Sequence, residues 1–458
     1  MRDIVLIIFI GLIIAMGFKR PFLWVLLYIY VDIVSPGEVG WGFIRSLHLS
    51  VVAFIAAFAG YALLDTKEGS RFTFRQGLIV ALLAWCGYTT LGAAFQDTAW
   101  AKWDWVWKSL IFAAFLPLTL RTRLRIEAAV LVYILSIAAI AISGGVKTVA
   151  GGGGYGLLVL LVQNDSGIYE GSIFSTAAIA SIPLILFLAR HGTIFKPDWR
   201  VWTFAAALIF SCLLIPIGTQ ARTGLVCIGV LGVLMMRAVK HRFLFAGLAS
   251  VALVASIPFL PQAFTDRMAT ITGFQSDESA STRLQVWKWT YHYALANPTG
   301  GGFDAYRSNS FTYEVPKIEG EGNNQQITYE TVTDESRAYH SSYFEMLGEQ
   351  GWLGLFMWLL LQGLGVWHME RIRWREGPKR ADRDVWMFDL ATALQHAQII
   401  FLVGALFVGI AFQSFALILI GFQCALWSFW RIRRKGFQRS AVAEKLAAER
   451  GEGSPFPT

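Results

Sequence analysis

The chain has 458 residues, of which 55% are hydrophobic and 15% are charged, against roughly 25% charged residues in ordinary soluble domains. Hydrophobic runs fill most of the sequence from Ile4 to Trp430, which is too much apolar sequence for a soluble core and predicts membrane helices. The net charge of +8 would suggest nucleic-acid binding in a soluble protein, but here it belongs to the loops between the runs. We therefore expect an all-α polytopic membrane protein and no nucleic-acid partner.

Hydrophobic runs of membrane-helix character recur along the whole chain. They lie at about residues 3–17, 21–34, 47–64, 78–96, 103–120, 124–142, 172–190, 201–218, 223–238, 242–258, 341–367, 392–413 and 415–430. The first two are short against the ~20 residues that cross a bilayer, so we expect about 12–13 transmembrane helices. We interpret the first run as a retained helix, because no small-residue cleavage site precedes Lys19.

Positive charge marks one side of the predicted bundle. Most of the 39 lysines and arginines fall in alternate gaps between the runs, at Lys19–Arg20, Lys67–Arg75, Arg121–Arg125, Arg190–Arg200, Arg237–Arg242, Arg371–Arg383 and after Arg431. The positive-inside rule places these gaps in the cytoplasm. The sequence therefore predicts a multi-pass protein of a bacterial inner membrane whose outer segments face the periplasm.

These assignments divide the chain into successive parts. Residues 1–142 are N-terminal transmembrane helices, and residues 143–258 are central transmembrane helices with a glycine-rich periplasmic loop. Residues 259–340 form a large periplasmic loop with amphipathic helices, 341–431 the C-terminal transmembrane helices, and 432–458 a polar cytoplasmic tail that we expect to be disordered. All four cysteines lie in apolar runs and the outer segments lack Asp-x-Asp, so we expect no disulfide framework, metal or cofactor.

An amphipathic helix is predicted within the outer loop, over residues 281–297. Leu284, Trp287, Tyr291 and Leu295 recur at helical spacing, and Pro298 stops the helix. Such a helix lies on the membrane surface or packs over the bundle.

Arginines on the predicted outer side are scarce. Arg222 stands between two hydrophobic runs, where a buried charge costs a few kcal/mol unless it is paired. Arg283 opens the amphipathic helix near its amino end, where the helix dipole and the guanidinium together favour an anion such as diphosphate. The alternatives are an Arg222 that reaches the lipid headgroups and an Arg283 that is a solvated surface charge. Arg307 and Arg337 are weaker candidates, because exposed loop arginines are usually solvated.

A histidine and two glutamates follow at the entry to the next membrane helix. A neutral imidazole at His340 can accept a proton from an attacking hydroxyl at neutral pH. Glu345 and Glu349 are four residues apart on one helix face just beyond it. They could orient this base, bind acceptor hydroxyls, or simply pair with outer-loop arginines.

Taken in order, the motifs around these residues resemble those of the O-antigen ligase and polymerase superfamily, over about Ser172–Trp430. They are Gly-Thr-Gln-Ala-Arg222-Thr-Gly, Arg283-Leu-Gln-Val-Trp287, Asn297-Pro-Thr-Gly-Gly-Gly-Phe303 and His340-Ser-Ser-Tyr-Phe-Glu-Met-Leu-Gly-Glu349-Gln-Gly-Trp-Leu-Gly354. The amino-terminal half resembles the O-glycosylation ligases associated with exosortase-type sorting systems. The chain departs from the family at Ser341, where Asn is frequent, and at Ala221, where Ser is common.

The resemblance implies metal-independent glycosyl transfer on the periplasmic side. The donor would be a glycan on undecaprenyl diphosphate, and the acceptor a hydroxyl on lipid A core, protein or another glycan. Arg222 and Arg283 would stabilise the leaving diphosphate, and His340 would act as general base with inversion at C1. A polymerase using the same residues is the near alternative, and a polysaccharide transporter or flippase is the distant one.

Overall fold

The structure is a computed structural model that describes residues 2–40, 42–151, 158–162, 167–237, 247, 278–319, 326–379 and 383–449. Helices dominate the described part of the chain. In order they are α1 (Arg2–Gly17), α2 (Phe22–Val34), the one-turn α3 (Pro36–Val39), α4 (Leu49–Leu63), α5 (Phe74–Leu91), α6 (Gln96–Thr119), α7 (Arg123–Ala150), α8 (Gly171–His191), α9 (Trp199–Gly218), α10 (Arg222–Met236), α11 (Glu278–Ala296), α12 (Ser342–Arg375), α13 (Val385–Gly404) and α14 (Ser414–Glu449). Short 3₁₀ turns occupy Phe43–Ser46, Gly167–Tyr169 and Ala305–Ser308.

The all-α membrane architecture predicted from the sequence is confirmed. Each expected hydrophobic span overlaps a described helix except 242–258, of which only Gly247 lies within the described residues, and the expected span 392–413 runs beyond the end of α13 at Gly404. Within the described chain, six helices (α7, α8, α9, α12, α13 and α14 up to Arg434) are long and apolar enough to cross a membrane by length and composition. Helices α2, α4 and α10 are shorter apolar helices. The total of about 12–13 crossings stays a prediction.

Helix α7 is longer than expected, since it continues to Ala150 rather than ending at 142. The glycine-rich segment from residue 143 was expected to be a loop because of the run Gly151–Gly154, of which residues 152–154 lie outside the described residues. Gly144 and Gly145, however, are packing positions against α9. A Cβ on Gly144 would lie 2.6 Å from Ile215 Cδ1, and one on Gly145 would lie 2.9 Å from Ser211 Cβ. Small residues allow two membrane helices to approach closely. These two glycines therefore allow α7 to pack against α9 and do not end α7.

Two further predictions about regular structure need correction. The outer loop contains a β-hairpin, in which β1 (Ser310–Glu319) pairs antiparallel with β2 (Gln326–Glu335), whereas only helices were expected there. Alternating Thr, Tyr and Val favour strands at these positions. The tail was expected to be disordered from 432, but α14 continues to Glu449. Its Ala-, Glu- and Lys-rich sequence has high helix propensity.

The bundle has two distinct ends. At one end, which we call the basic face, Arg121 and Arg125 bind Asp65 at 2.8 and 2.6 Å, and Arg434 binds Glu376 at 3.0 Å. At the other end, which we call the site face, the segments 92–95, 297–309 and 405–413 meet the start of α12. The basic gaps and the less basic gaps predicted from the sequence therefore correspond to two different ends of the helix bundle.

Candidate functional site

Glycines hold the loop after α11 against the first turns of α12. The amides of Gly301 and Gly302 donate to the carbonyls of Gly348 and Glu349, both at 2.9 Å. Gly351 adopts φ 64° and ψ −168°, and a Cβ there would lie 2.2 Å from the carbonyl oxygen of Pro298. The two main chains therefore touch directly, which explains the glycine-rich pattern of both motifs.

A partly buried lysine joins the two glutamates of α12. Lys102 Nζ lies 2.7 Å from Glu345 Oε1 and 2.9 Å from Glu349 Oε1. Glu349 has no solvent exposure and also accepts a hydrogen bond from the amide of Asp304 at 3.0 Å. The amide of Ala411 donates to Glu345 Oε2 at 3.3 Å. This cluster ties α6, α12 and the loops at 304 and 411 together.

Among the described residues the ion-pair partner of these glutamates is Lys102 and not an outer-loop arginine, which was one of the three alternatives left open by the sequence. The sequence interpretation missed Lys102. The sequence did contain a signal for it. Lys102 lies beside the predicted span 103–120 and within the aromatic run Trp100–Trp107, and an unpaired charge is unusual at such a position.

Helix α11 packs over the beginning of α12. The Trp287 ring stacks on Phe344 with centroids 4.9 Å apart and 7° between planes. Trp287 Nε1 donates a hydrogen bond to the carbonyl of Tyr339 at 2.9 Å. One helical residue therefore fixes the chain on both sides of His340.

The buried face of α11 differs from the predicted apolar stripe. Val286, Thr290 and Ala294 are buried, at one-turn intervals. The predicted stripe residues Leu284, Tyr291 and Leu295 are instead exposed, although Tyr291 also meets the ring of Trp352 on α12 edge-on. The exposed apolar side chains suit contact with lipid, so the helix both packs on the bundle and presents an apolar face outward.

His340 occupies a strained and electropositive position. Its φ of 46° lies in the left-handed region, which non-glycine residues seldom adopt and which costs of order 1–3 kcal/mol. Partial removal from solvent lowers the pKa of His340, and the charges of Arg283 and Arg337 lower it further. The residue still keeps an exposed surface. The imidazole is therefore held neutral near neutral pH and remains accessible.

The structure brings Arg283 and Arg337 within electrostatic reach of His340. Arg283 lies one turn before Trp287, on the side of α11 that faces the His340 segment. Arg337 is half-exposed and bonds Asp334 at 2.7 Å. Arg307 is also half-exposed, with its Nε 3.7 Å from Asp304, and is not among the charges that shift the pKa of His340.

Arg222 begins α10 at the same end of the bundle. Cys227, further along α10, lies 3.8 Å (Sγ to O) from Ile400 of α13. Just beyond the end of α13, the carbonyl of Ala405 accepts a hydrogen bond from the amide of Ser342, at 2.8 Å. These contacts place the start of α10, and with it Arg222, at the site face of the bundle. Its side chain is partly buried.

Comparison with known families divides the chain near residue 200. Residues 1–193 match a model described as a family of unknown function (DUF5935), and residues 205–359 match one described as O-Antigen ligase. The curated proteins contain no match to this chain. The narrower likeness to exosortase-associated ligases stays a prediction. The second match contains the candidate residues from Arg222 to Glu349, and over residues 205–359 the chain is similar to the O-antigen ligase family.

Proposed function

We propose that the protein transfers an oligo- or polysaccharide from undecaprenyl diphosphate to an acceptor hydroxyl on lipid A core or on a protein. The site face would lie in the periplasm and the basic face in the cytoplasm, following the positive-inside rule. The family match and the neutral, cation-flanked His340 support this proposal. The position of His340 beside Arg283 and Arg337 is the observation that carries the proposal, because this reaction needs both a base for the acceptor hydroxyl and cations for the leaving diphosphate.

The leaving group is a lipid diphosphate that gains negative charge as its bond to the sugar breaks. Guanidiniums at Arg222 and Arg283 would stabilise this charge more in the transition state than in the ground state. Loss of one such charge contact costs about 2.7–4 kcal/mol, by analogy with oxyanion-hole donors. Arg337, which adds positive charge beside His340, and Arg307 would have lesser roles in binding.

His340 would take the proton from the acceptor hydroxyl as its oxygen attacks C1 from the face opposite the diphosphate. The C1–oxygen bond to the phosphate breaks, its electron pair leaves with the diphosphate, and the configuration at C1 inverts. A general base of this kind typically contributes about 10²–10⁴-fold. Nearby guanidiniums support this role because they keep the imidazole unprotonated while attracting the anionic donor.

Glu345 and Glu349 would support the site rather than react. Their hydrogen bonds go to Lys102 and to main-chain amides that shape the loops around His340. We propose no metal in this chemistry, since guanidiniums supply the charge that a cation would otherwise provide.

A polymerase is the second candidate. It would use the same residues with another lipid-linked glycan as acceptor, and the family match favours it equally. A transporter or flippase is more distant, because the candidate charges lie at the helix ends on the site face and not near helix centres.

The direct test supplies purified protein with an undecaprenyl-diphosphate glycan and candidate acceptors, with and without a chelator. Release of lipid diphosphate and the mass of the acceptor are followed together. Added mass on lipid A core or protein identifies a ligase, and a ladder of repeats on the lipid carrier identifies a polymerase. His340→Ala should abolish transfer. His292→Ala is the matched control, because His292 lies exposed on α11 against the edge of Tyr291.

Normal transfer by His340→Ala at equal expression would refute the base assignment. Arg222→Lys should also be severely impaired, since bidentate phosphate binding requires the planar guanidinium. Absence of turnover with any acceptor would leave the transporter interpretation standing.

A further inference from the structure

An apolar groove of about 380 Å³ opens between α7, α8 and α9 at the basic face of the bundle. One wall is formed by α7 between Glu127 and Leu135, and the opposite wall by α9 between Arg200 and Leu208. The volume is within the range of about 300–1,000 Å³ that is usual for small-molecule sites. The groove lies at the opposite end of the bundle from His340, so it is separate from the proposed transfer site.

The groove runs along the helices for nearly the depth of one membrane leaflet. Both walls advance by eight residues, from 127 to 135 and from 200 to 208, which is about 12 Å at the helical rise of about 1.5 Å per residue. Half of a hydrocarbon core of ~30 Å is about 15 Å. All three helices are long and apolar enough to cross a membrane. The groove therefore lies at the depth of the acyl chains of one leaflet.

The groove is also open at the side of the bundle. Helix α9 lies at the edge of the described bundle, with only a minority of its residues buried. Leu135 and Phe204, on opposite walls, are both exposed, and so is Phe195 in the loop between α8 and α9. Lipid tails are as apolar as these side chains, and an unfilled groove lacks dispersion contacts on one side. An acyl chain would supply those contacts without the loss of any hydrogen bond.

Glu127 is the acidic residue of the lining, and it presents no free charge to a ligand. Its side chain is almost fully buried, and its Oε1 accepts hydrogen bonds from Arg123 Nε and Trp386 Nε1, both at 2.8 Å. Its Oε2 accepts a hydrogen bond from the amide of Thr193 at 3.0 Å. These bonds compensate the carboxylate and hold the loop at 192–195, which also lines the groove, against α7.

Positive charge lies at the mouth of the groove. Arg200 lines it and is exposed, and within the described chain it makes no ion pair with a carboxylate. Arg190 at the end of α8 and Lys196 in the following loop are also exposed. Asp198 is the acidic residue of this segment, and its side chain caps α9 by accepting a hydrogen bond from the amide of Val201 at 2.8 Å. The mouth therefore favours an anion.

Two tryptophans indicate the depth of this mouth in the membrane. Trp199 and Trp202 flank Arg200 at the start of α9, and both are exposed. Tryptophan is enriched at membrane–water interfaces, where its amphipathic ring lies at the level of the lipid headgroups. Arg200 therefore lies at the depth of the lipid phosphates, and basic pockets between membrane helices are known to bind anionic headgroups.

We infer that this groove binds an anionic phospholipid, with one acyl chain between α7 and α9 and the phosphate on the guanidinium of Arg200. A guanidinium can donate two parallel hydrogen bonds to phosphate oxygens. Arg190 and Lys196 add attraction for a headgroup of net negative charge. The inference is independent of glycan transfer, because lipid binding at the basic face requires no turnover at the site face.

Binding is tested on the full-length protein, freed of lipid in detergent, by native mass spectrometry with phosphatidylglycerol and phosphatidylcholine of identical acyl chains. Wild type should bind the first molecule of phosphatidylglycerol about fivefold or more tightly than phosphatidylcholine, the factor expected for one basic side chain near a headgroup. Arg200→Gln should weaken the binding of phosphatidylglycerol by about the same factor and reduce the preference.

A second variant tests the part of the groove that holds the acyl chain. Leu135→Trp places a bulky side chain in the groove from an exposed position on α7, where the substitution leaves the buried core unchanged. It should weaken the binding of both lipids to a similar extent, because their acyl chains are identical. A size-exclusion profile like that of wild type confirms that the variant is folded.

Arg371→Gln is the matched control for the loss of charge. Arg371 is exposed on α12 at the basic face, with its Cζ 5.3 Å from the ring centroid of Trp367, much as Arg200 lies 5.5 Å from that of Trp199. It does not line the groove, so this variant should bind both lipids as wild type does. His340→Ala should also keep full lipid binding, which separates this result from the proposed transfer.

Four outcomes would overturn the inference. They are equal binding of the two lipids by wild type, unchanged binding of phosphatidylglycerol by Arg200→Gln, unchanged binding by Leu135→Trp, and an equal loss in Arg371→Gln and Arg200→Gln. The last result would show a general effect of surface charge. A wild-type dimer that Leu135→Trp dissociates would assign the groove to a second copy of the chain and would also overturn the lipid site.

Discussion

Trp287 and Tyr339 are joined by a hydrogen bond of 2.9 Å from the indole Nε1 to the main-chain carbonyl. The bond connects α11 to the residue immediately before His340, which adopts a left-handed conformation. Stacking of the same indole on Phe344 secures the other side of the segment. The position of the proposed base is therefore set by a side chain from a different helix.

Trp287→Phe should lower transfer activity more than it lowers stability. The phenyl ring retains stacking on Phe344 but removes the donor to Tyr339, so the imidazole of His340 loses its fixed position. A displacement of about 1 Å in a reacting group can cost about 10²-fold in rate. The measurement is kcat for transfer alongside the thermal midpoint. Trp289→Phe is the control, since Trp289 stacks on Tyr293 on the same helix. Equal activity of the two variants would contradict this prediction.

Lys102→Met should destabilise the protein strongly. Removal of the ammonium leaves Glu345 and the fully buried Glu349 facing each other without a cation, and breaking a buried pair costs about 3–5 kcal/mol. Thermal unfolding in detergent measures the effect. Arg45→Ala is the matched control because it breaks an exposed pair with Glu38, which is worth about 0–1 kcal/mol. Similar midpoints for both variants would rule out a structural role for the lysine cluster.

Gly351→Ala should prevent correct docking of the loop that follows α11. A Cβ at this positive-φ position would approach the Pro298 carbonyl oxygen to 2.2 Å, and the main chain there has no room to move. We expect a large loss of folded protein and of activity. Gly363→Ala, on the same helix, meets nothing within 4 Å and should be tolerated, since alanine favours helix by about 1 kcal/mol over glycine. Size-exclusion profiles and thermal midpoints of the Gly351→Ala and Gly363→Ala variants test this prediction, and equal profiles and midpoints for the two variants would contradict it.

The acid limb of the pH–rate profile should report His340. Burial, Arg283 and Arg337 all lower its pKa, so activity should persist below the ordinary histidine value of about 6.5 and fall only as the pH drops through the lowered pKa. Arg337→Gln removes one of these charges and should move the midpoint upward. The Arg307→Gln variant should leave it in place, because Arg307 does not shift this pKa. A midpoint that does not move in Arg337→Gln would show that another group controls the limb.

Local features were predictable because local physics produces them. Hydrophobic runs long enough to cross a bilayer, and the charges between them, located the helices and separated the two faces. The amphipathic helix 281–297 was found within a few residues of its observed bounds, since Pro298 ends it wherever the rest of the chain lies. His340 could be named because it directly precedes the hydrophobic run that forms α12.

Only the tertiary structure decided which side chains meet. The partners of Lys102 lie 243 and 247 residues away along the chain, and no local pattern links them. Gly144 and Gly145 break helices by propensity, yet the approach of α9 makes them necessary inside one. Burial on α11 follows the residues that face α12, not the spacing of the most apolar ones. Hydrophobicity and helix propensity act on neighbours in sequence, whereas packing selects neighbours in space.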